Sequence, residues 1–145
     1  MNACSIRPLR AEDVPLLVDL CAQLGYPASA AELEERFTHL RESPGQGLFV
    51  AVKEDGAVIG WLHIQERPAL HTPRSAEVTA LVVDAAHRGT GCGRALMARA
   101  EQWAREQHCR VFTLRSRVDR ENAHRFYESL GFQRASSSYK FTRPL

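Results

Sequence analysis

Three glycines, Gly89, Gly91 and Gly93, alternate along the chain between two arginines, Arg88 and Arg94. An apolar stretch precedes them and a helical pattern of apolar residues follows, so they predict a loop between a strand and a helix. Glycine lets the backbone approach a ligand closely, and the N–H groups at a helix N-terminus lie in the positive end of its dipole. With the flanking arginines, this loop is typical of a cradle for a phosphate-bearing anion.

The same loop lacks the residues of two common nucleotide-binding motifs. It has no Gly-Lys-Ser/Thr ending, which a P-loop needs to hold a triphosphate and its magnesium ion. A dinucleotide motif G-x-G-x-x-G would require glycine at position 94 or 96, where this chain has Arg94 and Leu96. Both nucleotide classes are therefore disfavoured.

The order of the predicted elements indicates an α+β fold. Short apolar or β-branched runs predict strands, and apolar residues at spacings of three and four predict helices. The resulting order is β-α-α-β-β-β-α-β-α-β, which favours a mixed, mostly antiparallel central sheet flanked by helices. The predicted strands are Ile6 to Leu9, Leu48 to Lys53, Ala57 to Ile64, Ala76 to Val83, Val111 to Leu114 and a last strand from Phe132 onward.

Local signals mark two helix ends. Ser29 and Glu32 have the spacing of a capping box, in which each side chain bonds the other residue's backbone N–H. Gly131 follows the apolar residues of the last helix, and glycine is common just past a helix C-terminus.

Length and charge limit the kinds of protein that this chain can be. Its 145 residues fit one domain over 1–145, and 44% hydrophobic with 25% charged residues is an ordinary globular composition. The formal net charge is only +2, so we expect neither nucleic acid nor a membrane as a partner. No apolar run approaches the roughly 18 residues of a membrane span.

The cysteines and histidines show no metal-binding pattern. Cys4, Cys21, Cys92 and Cys109 contain no C-x-x-C pair, which predicts reduced thiols and a cytoplasmic location. The six histidines include no familiar ligand spacing, so no metal site is expected, although His63 and His124 can be pictured as proton shuttles.

Two motifs together resemble the GNAT superfamily of N-acetyltransferases. Arg88-Gly89-Thr90-Gly91-Cys92-Gly93 is similar to the family's coenzyme A motif [Gln/Arg]-x-x-Gly-x-[Gly/Ala]. The stretch from Asn122 to Phe132 resembles the family's Asn-x-x-Ala/Ser-x-x-Phe-Tyr-x-x-x-Gly-Phe pattern, except that Asn122 and Ala123 are adjacent where the pattern has two residues between them. The resemblance is strong from Ser75 to Phe132 and implies an acetyl-CoA-dependent enzyme.

The resemblance also implies where the co-substrate acetyl-CoA binds. The pyrophosphate would lie on the backbone of Arg88, Gly89, Thr90, Gly91, Cys92, Gly93 and Arg94. Leu81, Val82 and Val83 would face pantetheine, in a strand that bulges and splays away from the next one. One backbone N–H of these three would polarise the thioester carbonyl. Asn122 matches a position that often hydrogen-bonds the cofactor arm.

Two residues are predicted to be catalytic. The resemblance makes Tyr127 the general acid for the departing thiolate, and a phenol is protonated at neutral pH. Glu77, in an otherwise apolar stretch, is the candidate base for the amine, directly or through water. The alternatives are a core aromatic for Tyr127 and a salt bridge for Glu77.

The acceptor is left open between a small-molecule amine and a peptide amine. In the family it is bound by segments that correspond to Gly25 to Phe37 and Arg67 to Arg74. Glu32, Glu34 and Glu35 can attract a polyamine or can be simply solvated. Alternatives to an acetyltransferase are an enzyme for a longer acyl-CoA and a non-catalytic acyl-CoA sensor, and the resemblance allows a homodimer.

Overall fold

Five strands form one mixed sheet in the computed structural model, which describes residues 4–145. The strands lie side by side in chain order, the first four antiparallel and the fifth parallel to the fourth. The predicted mixed, mostly antiparallel sheet is therefore confirmed. The strands are β1 (Ser5–Pro8), β2 (Gln46–Val52), β3 (Val58–Glu66), β4 (Ser75–Val83) and β5 (Val111–Leu114).

The helical elements follow the predicted order along the chain. The capping box that begins α2 is present: Ser29 Oγ accepts from the Glu32 N–H at 3.1 Å, and the Ser29 N–H donates to Glu32 Oε1 at 2.9 Å. The first predicted helix starts as a 3₁₀ helix with Pro15 inside it. The helical elements are that 3₁₀ helix (Ala11–Leu17), α1 (Val18–Leu24), α2 (Ala30–Glu42), a 3₁₀ turn (Ala85–His87), α3 (Cys92–Glu106) and α4 (Glu121–Ser129).

Apolar side chains fill both faces of the sheet. On the face toward α3, Leu62, Ile64 and Leu96 are fully buried. On the other face, a cluster joins the first helices to β2 and β4, with Trp61 packed against it. The members of that cluster are Leu17, Leu20, Cys21, Val50, Val52 and Val82.

The chain divides into two compact units, Met1–Leu114 and Arg115–Leu145. The first unit holds the five strands and α1 to α3, and the second holds α4. One domain over 1–145 stays a prediction. Among the described residues, no helix is long and apolar enough to cross a membrane.

The strand predicted from Phe132 onward is wrong, because residues 132–145 contain no strand. Gly131 has φ +95° and ends α4 as predicted. The stretch that follows has no sustained alternation of apolar and polar residues. Its aromatic side chains Tyr139 and Phe141 are 91% and 92% exposed, so this segment buries no apolar face that would hold it in a sheet.

The prediction of four reduced thiols is also wrong. Cys4, just before β1, forms a disulfide with Cys92 at the start of α3, with the two Cα atoms 6.1 Å apart. Cys21 and Cys109 are free. Spacing along the sequence detects local cysteine motifs, whereas this pair is separated by 88 positions and is joined only by the fold.

Candidate active site

The glycine loop lies where the sequence predicts it, at the N-terminus of α3. Gly89 and Gly91 have φ of +78° and +90°, a left-handed backbone conformation that is unfavourable for residues other than glycine. Gly91 is the N-cap of α3 and supplies no side-chain hydrogen bond to it. Because the first N–H groups of a helix have no partner within the helix, this end can accept an anion.

Side-chain hydrogen bonds fix the loop from within. Thr90 Oγ1 donates to the His87 carbonyl at 2.6 Å and approaches Cys92 Sγ at 3.3 Å. Arg88 Nε donates to the Val83 carbonyl at 3.3 Å. The loop is therefore held in its shape by bonds to the strand before it and to the helix after it.

Gln23 on α1 anchors the segment that leads into the loop. Its amide donates to Asp84 Oδ1 at 2.8 Å and accepts from the Ala85 N–H at 2.9 Å. Asp84 also contacts His87 Nδ1 at 2.8 Å. The hydrogen bonds from Gln23 and His87 lower the pKa of the Asp84 carboxyl, so it is an anion at neutral pH.

β4 has a bulge on one side, and its pairing with β5 ends early on the other. His63 pairs with Ala80 and Ile64 with Val78, so Thr79 has no partner on β3. On its other side, β4 pairs with β5 only as far as Val78. Within the described chain, Thr79–Val83 therefore has no strand along that edge, and its backbone can pair with an extended ligand.

The three residues predicted to face pantetheine lie in this open part of β4. Leu81 and Val83 are half-buried, whereas Val82 is 5% exposed and belongs to the apolar core. The side chain of Val82 is therefore committed to packing, and only its backbone is available to a cofactor. The Val83 carbonyl already accepts the bond from Arg88.

Glu77 is buried in the middle of the sheet, before the bulge. It is 9% exposed and is in register with Gln65 on β3 and Thr113 on β5. Because paired residues share a face, Glu77 lies on the same face as Gln65 and, two residues along β3, His63. Glu77 is thus a buried carboxylate, and its role as the base stays a prediction.

His63 is a second titratable group on that face, and it is half-buried. Its Nε2 lies 2.7 Å from Gln46 Oε1, which also accepts from Gln65 Nε2 at 3.1 Å. Burial lowers the pKa of His63 to about 4, so the imidazole is neutral at pH 7. Sequence reasoning named it only as a proton shuttle; the signal for its place is the alternation of Trp61, His63 and Gln65 along β3.

An apolar pocket of about 340 Å³ lies between the first helices and this face of the sheet. It includes part of the predicted acceptor segment Gly25 to Phe37, whereas Arg67 to Arg74 contributes to a separate cavity. Sequence reasoning missed most of its wall. The lining residues are Leu9, Val14, Leu17, Cys21, Leu24, Tyr26, Leu33, Arg36, Phe37, Leu40, Leu48, Trp61, His63, Thr79 and Ala80.

Tyr127 and Asn122 lie on α4, in the second unit. The Tyr127 ring makes edge contacts with Phe126 and Phe132, at centroid distances of 5.4 and 6.3 Å. Burial raises the pKa of its phenol, against a smaller opposing effect of Arg120. Asn122 is exposed, and its Oδ1 accepts from Arg125 Nη2 at 2.6 Å. Tyr127 thus has the aromatic packing of the core alternative as well as the protonated hydroxyl that an acid needs.

The motifs, the sheet order and the open strand agree with what a comparison of sequences finds. The model of the "Acetyltransferase (GNAT) family" matches residues 15–132. The chain belongs to this family, whose members are transferases that use acetyl-CoA as co-substrate. No group of three or more potential metal-ligating side chains occurs within residues 4–145.

Named relatives include enzymes for two kinds of amine. An aminoglycoside N(6')-acetyltransferase type 1 of Stenotrophomonas maltophilia is 30% identical over 124 residues, covering 83% of this chain and 80% of the relative. An aminoalkylphosphonate N-acetyltransferase of Salmonella typhimurium is 28% identical over 147 residues, covering 100% and 94%.

A solved structure confirms the fold at lower identity. The aminoglycoside antibiotic 6'-N-acetyltransferase of Acinetobacter baumannii superposes with a TM-score of 0.85 at 18% identity, covering 98% of this chain and 99% of that one. At this identity the likeness concerns the fold alone.

Proposed function

We propose that this protein transfers the acetyl group of acetyl-CoA to a primary amine by direct attack in a ternary complex. One observation carries the proposal. The bulged and partly unpaired edge of β4, Thr79–Val83, leads through the 3₁₀ turn Ala85–His87 into the glycine loop at the N-terminus of α3. This arrangement offers backbone groups to an extended arm and then N–H groups to the phosphates at its end.

Binding of the co-substrate is assigned to the residues named from the sequence. The loop from Arg88 to Arg94 would hold the pyrophosphate, and Leu81–Val83 would pair with the pantetheine arm through backbone atoms. Asn122 is proposed to hydrogen-bond the same arm. Its present bond to Arg125 would exchange for that contact.

The chemistry requires a base, an oxyanion donor and an acid. Glu77 is proposed to take a proton from the amine, directly or through water, with neutral His63 as the second candidate on the same face. The neutral amine nitrogen then attacks the thioester carbon, a backbone N–H of Leu81–Val83 stabilises the charge on its oxygen, and the nitrogen loses its second proton to solvent as the amide forms. The carbon–sulfur bond breaks, and Tyr127 is proposed to protonate the thiolate.

The test is release of free thiol with an amine panel, with the products weighed by mass spectrometry. The proposal expects amine-dependent thiol release and an amine product heavier by one acetyl group. Binding of acetyl-CoA with no product from any amine would favour the non-catalytic sensor, and faster turnover of a longer acyl-CoA would favour the third candidate. The homodimer and the cytoplasmic location stay predictions from the sequence.

A further inference from the structure

The apolar pocket limits the chemistry of the acceptor. Its inner wall is made of core side chains, with Val14, Leu17 and Cys21 each at most 5% exposed, and of Leu33, Phe37 and Trp61. Burial raises the pKa of the Cys21 thiol, so this residue adds no negative charge. A volume of about 340 Å³ holds one small molecule, and this lining favours an aromatic or branched aliphatic body.

One charged side chain lines the pocket in the described part of the chain, and it is positive. Arg36, on α2, pairs only loosely with Glu32, at 3.6 Å, and both side chains are more than half exposed. Glu32, Glu34 and Glu35, which the sequence offered as attractants for a polyamine, are not among the lining residues. A second ammonium group entering here would lose water and meet a like charge, with no carboxylate among the lining residues to bind it.

The pocket also reaches the reacting strand. Thr79, at the bulge, and Ala80 form part of its wall, and Leu81–Val83 follow immediately along β4. Under the proposed function the thioester lies on this strand, so the amino group of the acceptor would lie at the β4 wall of the pocket. The rest of the molecule would then extend between the apolar walls toward α2 and Arg36.

We propose that the acceptor is a primary amine with an apolar body that carries a carboxylate received by Arg36, and not a polyamine or an aminoglycoside. This inference rests on the proposed function for the identity of the reaction. It adds that the acceptor carries a negatively charged group, because the charged side chain that lines the pocket is positive.

The experiment uses three matched amines: 2-phenylethylamine and its para-carboxylate and para-aminomethyl forms. Their affinity for the CoA-saturated protein is measured by calorimetry, and kcat/KM is measured with acetyl-CoA. We expect the carboxylate form to bind best and the aminomethyl form worst, with about tenfold or more between them, which is about 1.4 kcal/mol.

Two variants at Arg36 test the charge directly. Arg36→Gln should remove the advantage of the carboxylate form over the neutral amine in affinity and in kcat/KM, and Arg36→Glu should reverse the order of the two charged amines. Arg105→Glu is the matched control, because Arg105 is also an exposed helical arginine paired with a glutamate four residues earlier, Glu101, at 3.3 Å. It lies on α3, outside the pocket lining, and should leave the order unchanged.

The outcomes separate this inference from the proposed function. Acetyl transfer with the aminomethyl form preferred, or an order that Arg36→Glu does not change, overturns the inference while the transferase stands. Binding in the expected order with no acetylated product overturns the transferase and leaves the pocket assignment. If neither the expected binding order nor an acetylated product is observed, both the inference and the proposed function are overturned.

Discussion

His63 is a half-buried imidazole whose charge state depends on the fold. Its pKa is about 4 in the folded protein, against an ordinary value near 6.5. Between these values the unfolded chain binds a proton that the folded protein does not. The contribution to stability is therefore complete above about pH 6.5 and is lost as the pH falls toward 4.

We expect His63→Gln to flatten the acid side of the stability profile. In the unchanged protein, titration of His63 should lower the free energy of unfolding by on the order of 2 kcal/mol between pH 7 and pH 4.5. Glutamine keeps an N–H donor for Gln46 but does not titrate. The measurement is the unfolding midpoint in denaturant against pH, and His71→Gln, at an exposed loop position, is the control. An equally steep profile in His63→Gln would contradict this account.

Glu77→Gln tests the base. The amide has the shape of the carboxylate and accepts no proton from the amine, so kcat/KM should fall and its pH profile should change. We expect a loss of about 10². Glu66→Gln, which removes the ion pair with Arg74 at the end of β3, should keep the profile of the parent enzyme. An unaltered profile in Glu77→Gln would remove Glu77 from the mechanism and leave His63 or water as the base.

Tyr127→Phe removes the proposed acid and keeps the ring contacts with Phe126 and Phe132. We expect kcat to fall on the order of 10²-fold, with little change in acetyl-CoA affinity, because the phenol acts on the leaving thiolate. Tyr139→Phe is the matched control, since Tyr139 is 91% exposed. Normal turnover in Tyr127→Phe would assign protonation of the thiolate to water or another group.

At the scale of elements, a comparison of two glycines distinguishes an effect on ligand binding from an effect of backbone strain. Gly89 and Gly56 both have positive φ, +78° and +87°, and a Cβ on either would meet no atom within 4 Å. Alanine at either position should therefore cost a similar ~1–2 kcal/mol of stability. Only Gly89 lies in the proposed cradle, because Gly56 is in the turn between β2 and β3.

We expect Gly89→Ala to weaken CoA binding by about tenfold or more and Gly56→Ala to leave it unchanged. A methyl group at position 89 would stand where the phosphate must approach the backbone. Calorimetric titration with CoA and chemical unfolding of both variants measure the two effects separately. Equal CoA affinity in both variants would show that the loop is a structural turn.

Elements with local signals were predictable, and those that depend on distant partners were not. The capping box of α2 and the glycine after α4 follow from residues within a few positions of each other. The prediction of a last strand is wrong because a strand needs an apolar face that is buried in the sheet, and residues 132–145 provide none. The pocket was largely missed because its wall combines α2 with side chains from β3 and β4.

At the scale of the whole molecule, the antiparallel pairing of β2 with β3 and of β3 with β4 was predictable, because each pair is consecutive along the chain and is joined without an intervening helix. The Cys4–Cys92 disulfide was not, since nothing near either residue marks its partner. The site likewise has one part that was predictable from local sequence and one part that was not. The loop was evident from its glycines, whereas the environment of His63 depends on Gln46 from β2 and on burial.

The most direct measurement is the thermal unfolding of the whole protein with acetyl-CoA, with CoA, NAD and ATP in parallel. A ligand at about 100 times its Kd should stabilise the fold by about 2.7 kcal/mol, which raises Tm by several degrees in a domain of this size. We expect this shift with acetyl-CoA and CoA and none with NAD or ATP. No shift with either CoA species at saturating concentration would contradict the acetyltransferase account.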